Sequence, residues 1–485
     1  MVGVSERNDR RRRSGVSRRT FVKAVGASGT AAGLAGCTSR GQSSNPNVLQ
    51  WAADDDVKTN IETIEKALYN AGLDESIEFE VLAGNEQTGA RQAQYQRWLS
   101  ANLSEPDLLL VDSGWAIPFI ARRQLLNLSD HMSEQTLKKV NNEYFQGSVI
   151  TGKSNSGDLY AIPMFSDFGT IQYRKDLVKK AGFSPDKENW ATEGISWKKF
   201  SKVTEKVKKE NNFDYGFTFQ ASVYEGLSCC DFNEFITSWG GTYFGSVKNL
   251  LGPVGQRPVT LDTQNVIDSV KMIRTFIHGN DAPNTLNGYA GNIAPRAVLS
   301  WTEETSRAPF TNGNAVMHRN WPYSININGA KEVFGENLGV MPIPYGVKEG
   351  QAKEKELGGL ASALGGWNVA INPNSKKKQK ALQVLEAMTK DSFKLKMFET
   401  IGWIPPEPQV LDSKRARNVP IMGRYVDTLK IAGKNALPRP VSVVWPQESG
   451  KIAQSVHSAY SGDAAPKQAM SQLNSQIKEI ENYNQ

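Results

Sequence analysis

Two patterns of hydrophobic positions alternate along the first part of this 485-residue chain. Residues 77–81 alternate between apolar and polar side chains, which predicts a strand with one solvated face. Residues 107–111 form a nearly continuous apolar run, which is typical of a parallel strand buried on both faces. Ahead of both runs, Ile61, Ile64 and Leu68 recur at the spacing of an amphipathic helix. The alternation of strand and helix predicts a first lobe of the α/β class.

A different pattern occupies residues 157–177, where an apolar run ending at Met164 contains Pro163 and a second strand-like run follows Gly169. Proline inside a strand fits only an edge, an end or a bulge, so we predict that the chain changes direction here. This change is expected to carry the chain from one lobe to another, with Asp167 facing the gap between them.

Polar and aromatic side chains recur on loops that directly follow predicted strands. Asp112 ends the apolar run at 107–111 and is followed closely by Trp115. Ligands of open α/β sheets bind outside the carboxyl ends of the strands, so Asp112 is a candidate binding residue. The other loops and irregular segments of this kind, all rich in Gly, Pro or Trp, are 319–323, 358–367, 436–440 and 445–446.

Most of the net charge of +7 is located at the N-terminus. Residues 1–36 contain eight basic and two acidic side chains, and the rest of the chain has a net charge of +1. A body without a basic field offers no electrostatic footprint for phosphate backbones, which argues against nucleic acid as a partner. The contents of 39% hydrophobic and 22% charged residues are typical of a soluble globular protein, and the length predicts two or more domains.

The N-terminal segment has the pattern of an export signal. Residues 17–23, SRRTFVK, resemble the twin-arginine signal, and an apolar segment rich in Ala and Gly follows them. Residues 34–37 resemble a lipobox, in which Cys37 would be lipidated and become the mature N-terminus. We therefore expect a signal at 1–37, a flexible tether at 38–47 and a lipid-anchored, exported protein. The alternative is a disordered basic tail with an incidental cysteine.

The remaining cysteines and the histidines offer little chemistry. Cys229 and Cys230 are adjacent, so they could form only a strained bridge; we expect no disulfide framework and leave their oxidation state open. The four histidines are scattered without metal-ligand spacing, and we expect neither a metal site nor a cofactor. The sequence contains no nucleophile elbow, phosphate-cradling loop or metalloprotease motif. Paired carboxylates among Asp112, Asp167 and Glu225 would suit glycoside hydrolysis, although no feature of the sequence marks one of them as a general acid.

A stronger pattern combines aromatic and charged side chains on the predicted loops. Sugars present apolar C–H faces and a rim of hydroxyls, which flat rings and charged groups together satisfy. Each aromatic residue alone is more typical of a core, but several of them converge on loop positions. The members of this constellation are Trp115, Phe165, Trp321, Tyr323, Trp367, Asp112, Asp167, Arg91 and Arg439.

Several segments of the chain resemble one family of binding proteins. The resemblance covers 48–480 and is densest at 106–115, 157–177, 224–227, 319–323, 364–367 and 438–440. In these segments the chain is similar to the extracellular solute-binding proteins of ABC transporters, family 1, nearest their trehalose/maltose-binding branch. The resemblance implies a periplasmic-binding-protein-like α/β fold, with two α/β lobes joined by a multi-strand hinge and the ligand cleft between them. The implied first lobe comprises 48–166 and about 366–412, and the second comprises 167–365 and about 413–485.

The resemblance also assigns sugar contacts residue by residue. Phe165 stands where disaccharide-binding relatives often have Tyr, which removes one hydroxyl partner. The acidic contact near the N-terminus falls within 54–56; we take Asp55 as the contact and leave the register open. Glu225 also matches a family pattern, but we interpret it as structural. The implied sugar contacts are Arg91, Asp112, Asp167, Trp321, Tyr323, Gly366, Trp367 and Arg439, together with Phe165 and Asp55.

From these features we expect a lipid-anchored protein on the extracellular face of the membrane, where it captures a di- or oligosaccharide by lobe closure. It would deliver the sugar to the transmembrane subunits of an ABC permease. We expect a monomer without catalytic activity, cofactor or nucleic-acid partner. Two alternatives stay open: a secreted, lipid-anchored glycosidase that uses Asp112 and Asp167, and a binder of a non-sugar solute such as a peptide or polyamine. A polyamine site would need several converging carboxylates, whereas this constellation includes two arginines.

Overall fold

Ten strands and two sheets organise the part of the chain that the computed structural model describes, residues 45–84 and 88–483. The predicted signal, Cys37 and residues 38–44 of the predicted tether lie outside the described residues. The strands are β1 (Val48–Ala53), β2 (Glu78–Ala83), β3 (Leu108–Asp112), β4 (Ala161–Phe168), β5 (Thr170–Arg174), β6 (Tyr215–Thr218), β7 (Ala315–Asn320), β8 (Leu338–Pro342), β9 (Ser362–Ile371) and β10 (Ala436–Pro438).

Each sheet forms the centre of one α/β lobe. The first sheet has the order β10-β9-β3-β1-β2, and β4 also pairs with β9. In this sheet β1 runs parallel to β2 and β3, whereas β3 and β4 each pair antiparallel with β9. The second sheet has the order β6-β7-β5-β8, and its central β5 pairs antiparallel with β7 and β8. The two-lobed α/β fold that the resemblance implied is confirmed.

Helices surround both sheets. Before residue 280 the α-helices are Asp55–Thr59, Ile61–Asn70, Thr88–Ser100, Ala116–Ala121, Glu134–Glu143, Gln146–Ile150, Lys175–Lys180, Trp190–Glu193, Trp197–Glu210, Phe232–Ser238 and Gln264–His278. After it they are Glu303–Thr311, Tyr323–Asn328, Lys378–Met388, Asp391–Thr400, Pro408–Leu411, Lys414–Arg417, Val426–Lys434, Trp445–Ser461 and Pro466–Tyr483. No helix among these described residues combines the length and the apolarity needed to cross a bilayer.

The hydrophobic pattern predicted the first sheet well. The apolar run at 107–111 forms β3, whose residues are all buried. Leu108 packs into one hydrophobic cluster and Leu109 into another, so both faces of the strand are covered as predicted. The alternating run forms β2 at the edge of the sheet, where Glu78 and Glu80 are exposed. Local patterns therefore determined which strands are central and which is peripheral.

The segment 157–177 carries the chain from the first sheet to the second. It contains β4, which pairs with β9 of the first sheet, and β5, which lies inside the second sheet, with Gly169 between them. The pairing register of β4 shifts between Pro163 and Phe165, and β4 pairs with β9 alone among the described strands. Pro163 therefore lies beside a bulge on an edge strand, where proline was predicted to fit. The change of direction is confirmed, whereas the exact lobe boundaries stay a prediction.

Three segments predicted as irregular are regular in the structure. Strand β9 begins at Ser362, inside the segment 358–367 that was predicted as irregular, because its first half pairs with β4 and β10. The segment 436–440 contains β10, which lies at an edge of the sheet, where its terminal proline is tolerated. The segment 445–446 opens the helix Trp445–Ser461, because proline is compatible with the first helical turn.

The adjacent Cys229 and Cys230 are joined by a disulfide bond. They lie in the π-helical turn Leu227–Asp231, and both are almost fully buried. The bridge closes only this local turn, so it constrains the path of the chain between Glu225 and Asp231 rather than forming a framework.

Candidate functional site

Residues from both lobes meet between the two sheets, and Arg439 connects them. Arg439 follows β10, and its Nη1 donates hydrogen bonds to Asp112 Oδ1 at 2.8 Å and to Glu225 Oε1 at 2.9 Å. Asp112 ends β3 and also accepts a hydrogen bond from the backbone N–H of Gly114 at 2.7 Å. Glu225 follows β6 of the second sheet and accepts one from Trp445 Nε1 at 3.2 Å. Arg439 is therefore held by one carboxylate from each lobe.

Glu225, which the sequence interpretation took as structural, pairs with Arg439, one of the predicted site residues. It lies 214 positions before Arg439 in the chain, so no local pattern could link the two. Burial raises the pKa of Asp112 to about 6, with Arg439 opposing this rise and Glu225 reinforcing it. The three side chains form one ionic cluster, joined by the two hydrogen bonds of Arg439 Nη1.

Arg91 lies in the first lobe with its guanidinium over a pair of aromatic rings. Its Cζ is 4.2 Å from the ring centre of Trp367 and 5.9 Å from that of Trp115, within the range of cation–π contacts. Arg91 is only 3% exposed, yet its Nε and Nη1 have no hydrogen-bond partner among the described residues. Its ion pair with Asp54 is long, with 3.8 Å between Nη1 and Oδ2. Buried donors without partners destabilise a protein unless a ligand satisfies them.

The acidic start of the first helix faces the same region. Asp54 caps the helix Asp55–Thr59 through a backbone N–H at 3.0 Å, and burial raises its pKa. Burial in the cleft raises the pKa of Asp56 to about 6 although solvent reaches this side chain, and Asp54 and Glu304 reinforce the rise. Glu304 lies on the helix Glu303–Thr311 of the second lobe. Asp55, the residue chosen from the sequence, is exposed between these two aspartates.

Trp321 and Tyr323 follow β7 of the second lobe. The guanidinium of Arg319 lies 4.2 Å from the ring centre of Trp321 and supports one face of this ring. A Cβ added to Gly365 would lie 3.1 Å from the same ring, so Trp321 reaches across to β9 of the first sheet. The Tyr323 hydroxyl donates a hydrogen bond to the carboxylate of Glu304.

Gly366 occupies a position that only glycine fits. Its φ is +113°, and a Cβ there would lie 2.6 Å from the carbonyl oxygen of Phe165. The ring of Phe165 is stacked on Trp403 with 4.6 Å between the ring centres, and the residue is 5% exposed. The structure therefore places Phe165 in the core of the first lobe and does not bring it to the polar cluster.

Asp167 lies near the crossing between the sheets, one residue before the end of β4. Its carboxylate forms no hydrogen bond or ion pair with any residue that the structure describes. Burial raises its pKa well above the ordinary value; Arg319 opposes the rise, and Asp56 and Asp112 reinforce it. A Cβ added to Gly365 would lie 3.3 Å from Asp167 Cβ and 3.1 Å from the Trp321 ring, so Asp167 lies beside a site candidate of the second lobe.

The assembled site suits the binding of a polar solute. It offers aromatic rings, a buried guanidinium with free donors and carboxylates without partners, and these groups come from both lobes. Within residues 45–84 and 88–483, no group of three or more His, Cys, Asp or Glu side chains could hold a metal ion. The sequence placed an acidic contact within 54–56 and left its register open; in the structure Asp54 pairs with Arg91, and Asp55 is exposed. Sequence reasoning did not propose Glu304, because carboxylates in a first helical turn are more often dipole partners.

Comparison with other sequences points to one family. The sequence model of the bacterial extracellular solute-binding protein family matches residues 61–423. A probable ABC transporter-binding protein of Deinococcus radiodurans is 28% identical over 404 residues, which cover 81% of this chain and 84% of the relative. A putative binding protein of Brucella abortus is 22% identical over 365 residues, which cover 74% of this chain and 76% of the relative.

Solved structures share the fold. Maltose-bound T. maritima MalE3 has a TM-score of 0.73 at 23% identity and covers 89% of this chain and 99% of its own. A solute-binding protein of Thermotoga lettingae with bound α-D-tagatose has a TM-score of 0.69 at 20% identity, covering 90% and 98%. UgpB from Mycobacterium tuberculosis with glycerophosphocholine has a TM-score of 0.68 at 16% identity, covering 91% and 99%. Identities this low establish the two-lobed fold and not a shared ligand.

Proposed function

The chain belongs to the bacterial extracellular solute-binding protein family, and from that membership we propose that it is the sugar-capturing component of an ABC importer. The family consists of binding proteins, so the chain is not an enzyme. The proposed ligand is a di- or oligosaccharide of the maltose or trehalose type, which is delivered to the transmembrane subunits of a permease. Two similar proteins support this role: the Deinococcus radiodurans relative is a probable ABC transporter-binding protein, and MalE3 was solved with maltose.

The buried guanidinium of Arg91 is the observation that carries this proposal. Its free Nε and Nη1 lie on different edges of the planar guanidinium, and each can donate a hydrogen bond to a separate hydroxyl oxygen of a sugar. The ring of Trp321 is supported by Arg319 on one face, and the other face would receive the C–H surface of a pyranose. Asp56 and Asp167 would accept hydrogen bonds from the remaining hydroxyls.

The proposed mechanism is capture by lobe closure. Arg91 and Asp56 belong to the first lobe, and Trp321 and Tyr323 belong to the second. A sugar that contacts both sets stabilises the arrangement in which they lie close together, and so shifts the population toward the closed form. The free energy available for closure is limited to the difference between the sugar's affinities for the two forms.

Export and anchoring complete the proposal and rest on the N-terminal motifs. We expect Cys37→Ala to release the protein from the membrane fraction, because the lipid attachment is lost. Replacing Arg18 and Arg19 together with lysine should block export, so that the protein accumulates inside the cell. A Cys37→Ala variant that stays in the membrane fraction would contradict the anchor.

The decisive experiment is a thermal-shift screen of the mature protein against sugars, polyols, peptides and polyamines, followed by calorimetry. A ligand that binds only the folded state raises the melting temperature, and we expect maltose-like or trehalose-like sugars to do so. Recovery of the intact sugar after incubation separates binding from glycoside hydrolysis. A shift with a peptide or polyamine, and none with any sugar, would refute the proposal.

A further inference from the structure

A buried ion pair supports the Trp321 ring from below. Arg319 Nε donates to Glu234 Oε2 at 2.7 Å and Nη2 donates to Glu234 Oε1 at 2.6 Å, which is a bidentate pair. Nη1 donates to Gln220 Oε1 at 3.0 Å and lies 3.4 Å from Asp231 Oδ2. The side chains of Arg319 and Glu234 are both 0% exposed. The plane of the guanidinium is therefore fixed, and the ring of Trp321 lies 4.2 Å from it.

The same ion pair contacts both segments of chain that cross between the sheets. Glu234 Oε1 accepts a hydrogen bond from the backbone N–H of Ala363, at the start of β9, at 3.1 Å. A Cβ added to Gly169, between β4 and β5, would collide with Glu234 Oε1 and would lie 2.7 Å from Arg319 Nη2. Ser362 Oγ donates to the carbonyl oxygen of Gly169 at 2.9 Å and joins the two crossings to each other.

We propose that Arg319 and Glu234 are positioning residues that couple the Trp321 ring to the hinge. One oxygen of Glu234 binds both the guanidinium and the backbone of the crossing strand, so a movement of the crossing displaces the guanidinium and the ring stacked on it. A ligand that stacks on Trp321 therefore stabilises one arrangement of the crossing segments. This effect is separate from the stabilisation that comes from the contact area that the ligand buries. This inference rests on the proposed sugar-binding role, but the hinge coupling has a readout of its own in the ligand-free protein.

The test measures the separation of the lobes directly. Spin labels are attached through Lys138→Cys, which replaces a 74% exposed side chain on the helix Glu134–Glu143 of the first lobe, and through Lys202→Cys, exposed on the helix Trp197–Glu210 of the second. Distance distributions are then recorded for the parent and for Glu234→Gln, without sugar and with maltose. Glu234→Gln keeps the size of the side chain but removes the charge that fixes the guanidinium.

We expect Glu234→Gln to broaden the ligand-free distribution and to raise the maltose Kd by about tenfold, which is the scale of losing one buried charged contact. Gly169→Ala should have the same two effects, because its Cβ displaces Glu234 without changing any charge. Gly450→Ala is the matched control, since a Cβ there meets nothing within 4 Å, and it should match the parent.

The outcomes separate the two proposals. A lower melting temperature in Glu234→Gln and Gly169→Ala, with parent-like distance distributions, would mean that the pair is merely structural and would overturn the coupling. If the parent binds no maltose or other sugar, the proposed function fails, while the ligand-free distributions still decide on the coupling. If Glu234→Gln does not fold, the comparison of Gly169→Ala with Gly450→Ala decides in its place.

Discussion

Trp321→Ala should remove the largest aromatic contribution of the second lobe to sugar binding. Arg319 covers one face of the ring at 4.2 Å, so the ligand can occupy only the other face. A buried Trp side chain removes roughly 150–250 Å² from water, and one face corresponds to about half of this area, or about 100 Å². At about 25 cal/mol per Å² this is a loss of about 2.5 kcal/mol, which raises the Kd by about 70-fold.

Isothermal titration calorimetry with the best sugar of the thermal-shift screen measures this loss. The control is Trp239→Ala, which removes another half-buried tryptophan of the second lobe, one that packs 6.2 Å from Tyr289 between ring centres. The control should lower the melting temperature but leave the Kd unchanged. Parent affinity in Trp321→Ala, or an equal loss of affinity in both variants, would refute the assignment of Trp321 as the sugar platform.

Three further predictions concern charge and redox state. Arg91→Met should weaken sugar binding by about 1.5–3 kcal/mol, while the melting temperature of the ligand-free protein stays equal or rises because its Nε and Nη1 have no partner among the described residues. Asp56→Asn should raise the melting temperature above pH 6, because a pKa raised from 3.8 to about 6 means that the charged form destabilises the fold. This gain in melting temperature should vanish as the pH falls toward 4, where the Asp56 carboxyl of the parent is protonated. Thermal melts of both proteins from pH 4 to above pH 6 test this, and a gain that does not change with pH would contradict it. Replacing both Cys229 and Cys230 with serine should weaken sugar binding while the protein still folds. Their disulfide bond shapes the turn that ends in Asp231, and Asp231 lies beside the Arg319 guanidinium that supports the Trp321 ring. A Kd equal to that of the parent in calorimetry would contradict this prediction.

The parts of the fold that depend on local hydrophobic patterns could be predicted from the sequence. The apolar run of β3 and the alternating pattern of β2 each indicate, from the residues of the strand alone, which side chains are buried. The crossing at Gly169 was also predictable, because Pro163 excludes a regular central strand. Strand β10 could not be predicted, since a segment ending in proline becomes a strand only when a partner such as β9 is already in place.

The aromatic members of the candidate site could be proposed from the sequence, but their ionic partners could not. Glu234 lies on a helix whose aromatic stripe indicates only a buried face, and its partner Arg319 is 85 positions away in the chain. A buried carboxylate on such a face is unfavourable unless a guanidinium neutralises its charge, and the sequence alone does not show which arginine does so. Phe165 shows the converse, because a loop-like aromatic residue finds a stacking partner, Trp403, that no local pattern reveals.

The ion pairs that the site arginines form within the protein indicate which class of solute the site can bind. The charges of Arg439 and Arg319 are each paired with two carboxylates of the protein, although Arg439 Nε has no hydrogen-bond partner among the described residues. The charged groups that the proposal leaves for the ligand are therefore the guanidinium of Arg91 and the carboxylates of Asp56 and Asp167. A polyamine would satisfy these aspartates but would be repelled by Arg91 and would leave its donors free. A phosphate or carboxylate would satisfy Arg91 but would face two acidic groups. A hydroxyl both donates and accepts hydrogen bonds, so a polyhydroxyl solute satisfies both sets of groups without burying an unpaired charge, which favours a neutral sugar over either charged alternative.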